Sequence, residues 1–169
     1  HDAQERQLYF EHARFRIIGI PVLYAPRLRL PDPTLKRTTG FLIPRLQTSS
    51  ELGTGLKLPY FFKISDHADL TLTPYLATST RTLELRFRQE VTGGRIDVTG
   101  AATRDDLEGE RGYLFANGRL KLPRGFTAEA QLELVSDAGY LFTYDYAEKD
   151  RLANDLAFYR VREIDLFRA

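Results

Sequence analysis

Three groups of residues have the types and spacing to do chemistry. Ser65, Asp66 and His67 are consecutive, and Ser136-Asp137 is a second hydroxyl–carboxylate pair. A hydrolytic site needs serine, imidazole and carboxylate converging on one reacting atom. Three consecutive residues in a turn do not converge in that way, and no nucleophile-elbow pattern surrounds either serine. His1 and His12 lie in the N-terminal segment, so His67 is the base such a site would use. No catalytic residue is assigned. Asp105, Asp106, Glu108 and Glu110 form an acidic stretch. Carboxylates so placed can share a divalent cation with an anionic ligand, but in a polar loop their ordinary role is solvation. No metal site is assigned. Arg27, Arg29, Lys36 and Arg37 form a basic cluster. It suits phosphate, which arginine grips bidentately, or simply a solvated positive face. No glycine-rich phosphate loop, paired-histidine metal motif or nucleotide fingerprint occurs, so no cofactor is expected.

A different kind of signal opens the chain. Pro21, Pro26, Pro31, Pro33 and Pro44 punctuate a stretch that otherwise reads as β-strand. Proline has no N–H to donate to a ladder, so it belongs at edges, strand ends and bulges. A strand that keeps several prolines pairs weakly, which matters if its sheet must open.

The elements that position these residues are strands. Residues 83–91 alternate, with Leu83, Leu85, Phe87 and Val91 on one face and Glu84, Arg86, Arg88 and Glu90 on the other. Gly93-Gly94 then predicts a hairpin, since both residues tolerate positive φ. Alternation resumes over 95–101, 113–122 and 126–135, with Pro123-Arg124-Gly125 as a turn between the last two. Residues 104–110 read as a loop. Residues 56–64 and 68–76 pair around Ser65-Asp66-His67, and 155–167 reads as a final strand. No segment carries a 3.6-residue apolar period of helical length. Residues 147–156 come nearest and predict at most a short helical turn. The reading is all-β: an antiparallel β-meander of about eight strands, many ~9–11 residues long, the span of a tilted transmembrane strand.

Composition narrows the classes. Of 169 residues, 24 are Lys or Arg and 23 Asp or Glu, for a formal charge of +1. Such balance demands neither nucleic acid nor another strongly anionic partner. Cysteine is absent, which removes disulfides and Cys-based metal sites. No apolar run approaches the ~20 residues of a membrane helix, and the polar start shows no signal peptide. Methionine is absent even at position 1, so the chain is expected to begin inside a longer protein. Clean alternation fits either a soluble sandwich, apolar face inward, or a segment of an outer-membrane β-barrel, apolar face to lipid. Small apolar residues (Gly100, Ala102, Ala116, Gly118, Ala128, Ala130) and densely charged polar faces favour the barrel. Aromatics near strand ends (Tyr60, Phe61, Phe62, Tyr75, Tyr140, Phe142, Tyr144, Tyr146) suggest an interfacial girdle.

Several ordered motifs resemble the LptD family of LPS-assembly outer-membrane proteins, also called OstA or Imp. Ile20-Pro21-Val22-Leu23-Tyr24-Ala25-Pro26 is similar to its V-P-[VI]-x-Y-x-P run. Lys36-Arg37-Thr38-Thr39-Gly40-Phe41-Leu42-Ile43-Pro44 is similar to its [KR]-[KR]-x-[ST]-G-F-L-x-P run. Leu58-Pro59-Tyr60-Phe61-Phe62, Asp69-Leu70-Thr71-Leu72-Thr73-Pro74 and Val135-Ser136-Asp137 resemble later motifs. The resemblance implies a periplasmic β-jelly-roll joined to a large β-barrel in the Gram-negative outer membrane. Residues 1–16 would end the jelly-roll, 17–44 would be the junction and first barrel strand, and 45–169 early strands of an incomplete barrel. It implies a non-enzymatic transport role: lipopolysaccharide arrives over a periplasmic LptA bridge and leaves through a lateral gate, with the lipoprotein LptE as plug. The N-terminal end would face the periplasm and the strands would meet the outer-membrane bilayer. Gate or junction residues would be Pro21, Tyr24, Pro26, Pro31, Gly40 and Pro44, with Arg27, Arg29, Lys36 and Arg37 as possible lipid-phosphate contacts. The alternatives are a free-standing β-module that binds a lipid or protein partner, and a small outer-membrane lipid hydrolase using His67.

Overall fold

A computed structural model describes residues 7–17, 20–31, 38–50, 52–106, 108–149 and 151–160. The strands are β1 (Gln7–Ile17), β2 (Ile20–Pro31), β3 (Gly40–Phe41), β4 (Arg45–Ser49), β5 (Gly53–Lys57), β6 (Tyr60–Lys63), β7 (Ala68–Ala77), β8 (Thr80–Val91), β9 (Gly94–Asp105), β10 (Gly109–Leu122), β11 (Phe126–Val135) and β12 (Asp155–Arg160), with one short helix, α1 (Tyr140–Thr143). β1 and β2 form a two-stranded sheet. All other strands belong to one antiparallel meander, β12-β11-β10-β9-β8-β7-β5-β4, in which β6 also pairs with β7 and β3 with β6.

β5 and β6 are two halves of one strand. Both pair with β7 in a single register, Lys57 opposite Tyr75 and Tyr60 opposite Leu72, and between them the Leu58 amide donates to the Pro74 carbonyl at 3.0 Å. β3 and β4 are likewise halves of the edge strand, separated by Leu42, Ile43 and Pro44. The sheet therefore has eight strand positions, as the alternation predicts.

Polarity sorts cleanly between the two faces. Cross-strand registers place Leu85, Gly100, Leu114 and Leu134 in one row, and Phe87, Val98, Ala116 and Leu132 in the next. That apolar face is bare: Leu83, Leu132, Leu134, Leu156 and Phe158 stay 40–85% exposed. The opposite face carries Asp69, Thr80, Thr82, Thr103, Asp105, Arg111 and Glu133, each 8% exposed or less. A water-soluble sandwich buries the apolar face and solvates the polar one. Here the order is inverted, as in the wall of a membrane barrel. Strands β7 to β11 run 10 to 14 residues, enough to cross an apolar layer of ~25 Å at a barrel's tilt. Among the described residues no helix is long and apolar enough to cross a membrane.

Three local expectations are corrected. Residues 147–156 form no helix among those described; α1 lies just upstream instead, and Ala153 and Asn154 are tied to Glu133 of β11. The β8–β9 turn is Thr92-Gly93, with only Gly93 at positive φ (+87°). Gly94 already pairs with Val91, and a Cβ there would overlap the Arg119 carbonyl of the neighbouring strand. The acidic loop is shorter than expected, because β9 runs on to Asp105 and β10 starts at Gly109.

Ala130 is the middle outward residue of β11, between Leu134 and Phe126. In the full-length protein refolded into bilayers, Ala130→Arg is expected to cost about 2–4 kcal/mol, the midplane cost of a lipid-facing arginine. Chemical denaturation measures it. On a water-exposed sheet the same change would stay within about 0.5 kcal/mol.

Candidate functional site

The site is the polar face, and its main occupant is the connection after β11. The Asp137 carboxylate accepts from the Gly139 amide at 3.1 Å, and α1 follows. Asp145 then takes a left-handed φ of 57°, and the Tyr146 amide donates to the Leu141 carbonyl at 2.9 Å. This reversal drops Tyr140, Leu141, Tyr144 and Tyr146 onto the sheet. Tyr140 and Tyr144 pack with Tyr75 and with Leu52 from the β4–β5 turn as a buried cluster. Gly55 makes the room: a Cβ there would lie 2.5 Å from the Tyr75 ring.

A chain of hydroxyls ties the segment to the wall. Tyr144 donates to the Asp105 carboxylate at 2.8 Å and also meets Thr80 at 2.7 Å. Tyr144 has one proton, already given to Asp105, so Thr80 must be the donor to it. The same count makes Thr82 donate to Thr80 (3.3 Å), Thr103 to Thr82 (2.8 Å) and Tyr140 to Thr103 (2.5 Å). All five bonds point one way and end on a carboxylate, an arrangement whose members polarise one another.

Beside this chain sits Arg111, its side chain 5% exposed. Asp105, Glu108 and Asp137 lie at 3.5, 3.6 and 3.7 Å, and the Tyr140 and Tyr144 rings at 5.1 and 5.7 Å. Its charge is balanced by carboxylates and ring faces, while its Nε makes no hydrogen bond. Two further anchors hold the connection. Tyr146 donates to Glu84 at 2.9 Å, and Lys57 pairs with the same carboxylate at 2.6 Å. Buried Glu133 accepts from Lys149 (2.5 Å) and from the Ala153 amide (3.0 Å).

Next to these anchors, at the β3–β4 edge, a cleft of about 610 Å³ opens on the polar face. Ile43, Pro59 and Phe61 line it together with Lys57, Glu84, Arg86 and Arg88. Arg88 is held by a bidentate pair with buried Asp69 at 2.9 and 3.1 Å. The cleft offers apolar surface and cations side by side. The strands that bound it are broken. Leu42, Ile43 and Pro44 oppose only Leu58 and Pro59, a bulge that leaves Ile43 83% exposed. By register Pro59 faces Thr73, and the next residue, Pro74, faces Leu83. Pro44, Pro59 and Pro74 thus follow one another across three neighbouring strands.

The expected site residues fall in two places. Gly40 is buried opposite Phe61, and Pro44 lies in the edge-strand break. Pro21, Tyr24, Pro26 and Pro31 are on β2, in the separate two-stranded sheet. There the register shifts just before Pro21 meets Arg16, and the ladder skips from Glu11–Arg27 to Ala13–Ala25, omitting Pro26. His12, facing that gap, takes a φ of 52° and hydrogen-bonds the Tyr24 hydroxyl at 2.5 Å. Pro31 pairs with Gln7. The side chains of Arg27 and Arg29, and Lys36 and Arg37 altogether, lie outside the described residues. Sequence reasoning missed Pro59, Pro74 and the tyrosine segment. The girdle expectation splits. Tyr60 and Phe62 face outward with Leu72 and Leu70, whereas Tyr75, Tyr140 and Tyr144 are buried on the polar side. Asp105 is held by Tyr144 and the Glu108 amide, and no metal-binding group occurs among the described residues. Ser65 accepts from the His67 amide and Asp66 pairs with Lys63, so this trio builds the β6–β7 turn.

No family model matches the chain. It is similar to proteins named LPS-assembly protein LptD from several bacteria. One from Pectobacterium atrosepticum is 43% identical over 46% of this chain and 10% of its own length. One from Chromobacterium violaceum is 32% identical over 86% of this chain and 18% of its own. A third, from Idiomarina loihiensis, is 27% identical over 91% and 21%. The chain thus spans about a fifth or less of the length of these curated relatives.

Burial holds the phenols of Tyr140, Tyr144 and Tyr146 above the ordinary tyrosine value of 10.0, and for Tyr146 the negative charge of Glu84 adds to it. Below pH 10 they are neutral whether folded or unfolded and leave stability unchanged. Above it the unfolded chain ionises first, so stability falls as pH rises. Absorbance titration is expected to find late-ionising tyrosines that diminish with Tyr144→Phe. That variant also takes the donor from Asp105 and is expected to cost about 1–3 kcal/mol in denaturant melts.

Proposed function

The chain belongs to the LptD family of LPS-assembly proteins, and we propose that it forms part of the barrel wall and lateral gate through which lipopolysaccharide enters the outer leaflet of a Gram-negative outer membrane. The observation that carries this reading is the amphipathic cleft on the polar face beside the broken edge strand. Lipopolysaccharide joins phosphorylated sugars to several acyl chains. Lys57, Arg86 and Arg88 suit its phosphates, and Ile43, Pro59 and Phe61 suit its acyl chains.

The seam supports the same reading. Each ladder bond that proline removes withdraws roughly 0.5–1.5 kcal/mol of net pairing. Pro44 on the edge strand and Pro59 on the strand beside it each lack a donor, and the bulge between their strands lengthens the gap. A seam between this edge and another strand of the complete barrel would open more readily than a regular one. The β1–β2 sheet would be the jelly-roll end and junction, with Pro21, Pro26, Tyr24 and Pro31 loosening the hand-over. The short Thr92-Gly93 and Pro123-Arg124-Gly125 turns would face the periplasm, as barrel turns do, and the long 136–154 connection the cell surface. Lipopolysaccharide, a periplasmic LptA bridge, the lipoprotein LptE and the surrounding bilayer are the proposed partners. The role is transport and not catalysis.

In the full-length protein, Pro44→Ala combined with Pro59→Ala is expected to tighten the seam and slow lipopolysaccharide delivery. Surface labelling of newly made lipopolysaccharide measures the rate. An unchanged rate, with the variant correctly assembled, would defeat the gate reading.

A further inference from the structure

The outward face ends differently at its two rims. At the rim of the short turns it finishes on stacked rings, Phe126 and Phe158, 5.0 Å apart. At the opposite rim, one row beyond Leu83 and Ala102, Arg81 stands directly opposite Arg104, with Leu76 on one flank and Glu110 on the other. Like charges facing each other across a ladder are destabilising. Both arginines are exposed on the lipid side of the wall. Among the described residues neither forms an ion pair: Glu110 is in register with Arg104 but not within 4 Å of it. The guanidiniums border a shallow groove of about 680 Å³ that continues toward the apolar band past Leu83, Ala102 and Gly112. In the row below the pair, Leu83 lies under Arg81, while Ala102 under Arg104 and its neighbour Gly112 on β10 are small and leave the floor of the groove low.

We propose that this rim is a binding site for a phosphorylated membrane lipid on the outside of the barrel. The phosphate bridges Arg81 and Arg104, and one acyl chain lies in the groove over Ala102 and Gly112, beside Leu83. The inference rests on the membrane-barrel reading but concerns a different surface from the cleft and the seam. Two features favour a lipid over a free anion. The cationic pair sits at the boundary of an exposed apolar band, where lipid headgroups lie. The groove leads from the charges into that band. A phosphate between the guanidiniums also relieves their repulsion through charge-assisted bonds, bidentate at each arginine.

The test uses the full-length protein in phosphatidylcholine bilayers containing spin-labelled phosphatidylglycerol or spin-labelled phosphatidylcholine. The motionally restricted fraction of each label reports lipid held at the protein surface. The wild type is expected to hold the anionic label several-fold more strongly. Arg81→Gln with Arg104→Gln should abolish that preference and leave the phosphatidylcholine signal as it was. Ala102→Leu, which fills the groove without changing charge, should weaken it as well. Arg119→Gln, on the polar face, should do neither. An equal preference in wild type and double variant would overturn the site. So would saturable binding of inorganic phosphate by a wild type that shows no preference for the anionic lipid label, since that means an ion site without a lipid. A protein that restricts neither label is not embedded in the bilayer, and then the barrel reading fails together with the site.

Discussion

The wall from β7 to β12 depends on keeping one phase of alternation across each of its ladders. A strand's side chains point up and down by turns, so a slip of one residue moves its whole apolar set to the wrong face. From β7 to β12 the pairings run without a shift. That continuity joins the leucines, alanines and glycines of separate hairpins into one apolar surface and the threonines, carboxylates and arginines into the other. Backbone hydrogen bonding alone does not choose between phases, because it is satisfied equally in both. The choice comes from the side chains: a charge at a lipid-facing position costs several kcal/mol, whereas a polar wall can pair its charges across strands.

The polar wall takes that opportunity. Asp69 with Arg88 and Arg119 with Glu129 link neighbouring strands or near neighbours, and Lys57 with Glu84 spans from β5 to β8. The connection after β11 then excludes water from part of this wall. Tyrosine is well fitted to that role, since each one brings a large ring to bury and a hydroxyl that finds a partner. Arg111 shows the cost of such exclusion, because a cation removed from water must be surrounded by counter-charge or by aromatic faces. Here it has both.

The alternation in residues 83–135 made the meander and its strand count legible, because period two is the most local of signals and each hairpin repeats it. The separate β1–β2 sheet and the fate of the tyrosines were not legible in the same way. Tyrosine suits a lipid interface and a polar interior about equally, and which it meets depends on where the long 136–154 connection folds back. The proline alignment lay in between. Pro44, Pro59 and Pro74 recur at a constant interval, with turn residues Gly53 and Ser65-Asp66-His67 near the midpoints. A hairpin folded at each midpoint brings successive prolines side by side. Reading the prolines one by one, as strand-enders, hid this. The cluster at Pro21, Pro26 and Pro31 drew attention by density, while the aligned set was spread along the chain.

That alignment gives the sheet a crease. A regular wall resists bending evenly, because each ladder bond stiffens it by about the same amount. A transverse line of positions lacking donors concentrates compliance there. The first two strands are divided along it into upper panels, β4 and β5, and lower panels, β3 and β6. Each panel hangs from β7 by its own short ladder, three residue pairs above and four below. If this border is the proposed gate, peeling it would proceed in two small steps instead of one large one. A half-opened border, one panel lifted and the other seated, would then be a resting shape of its own, with an aperture half as tall as the wall.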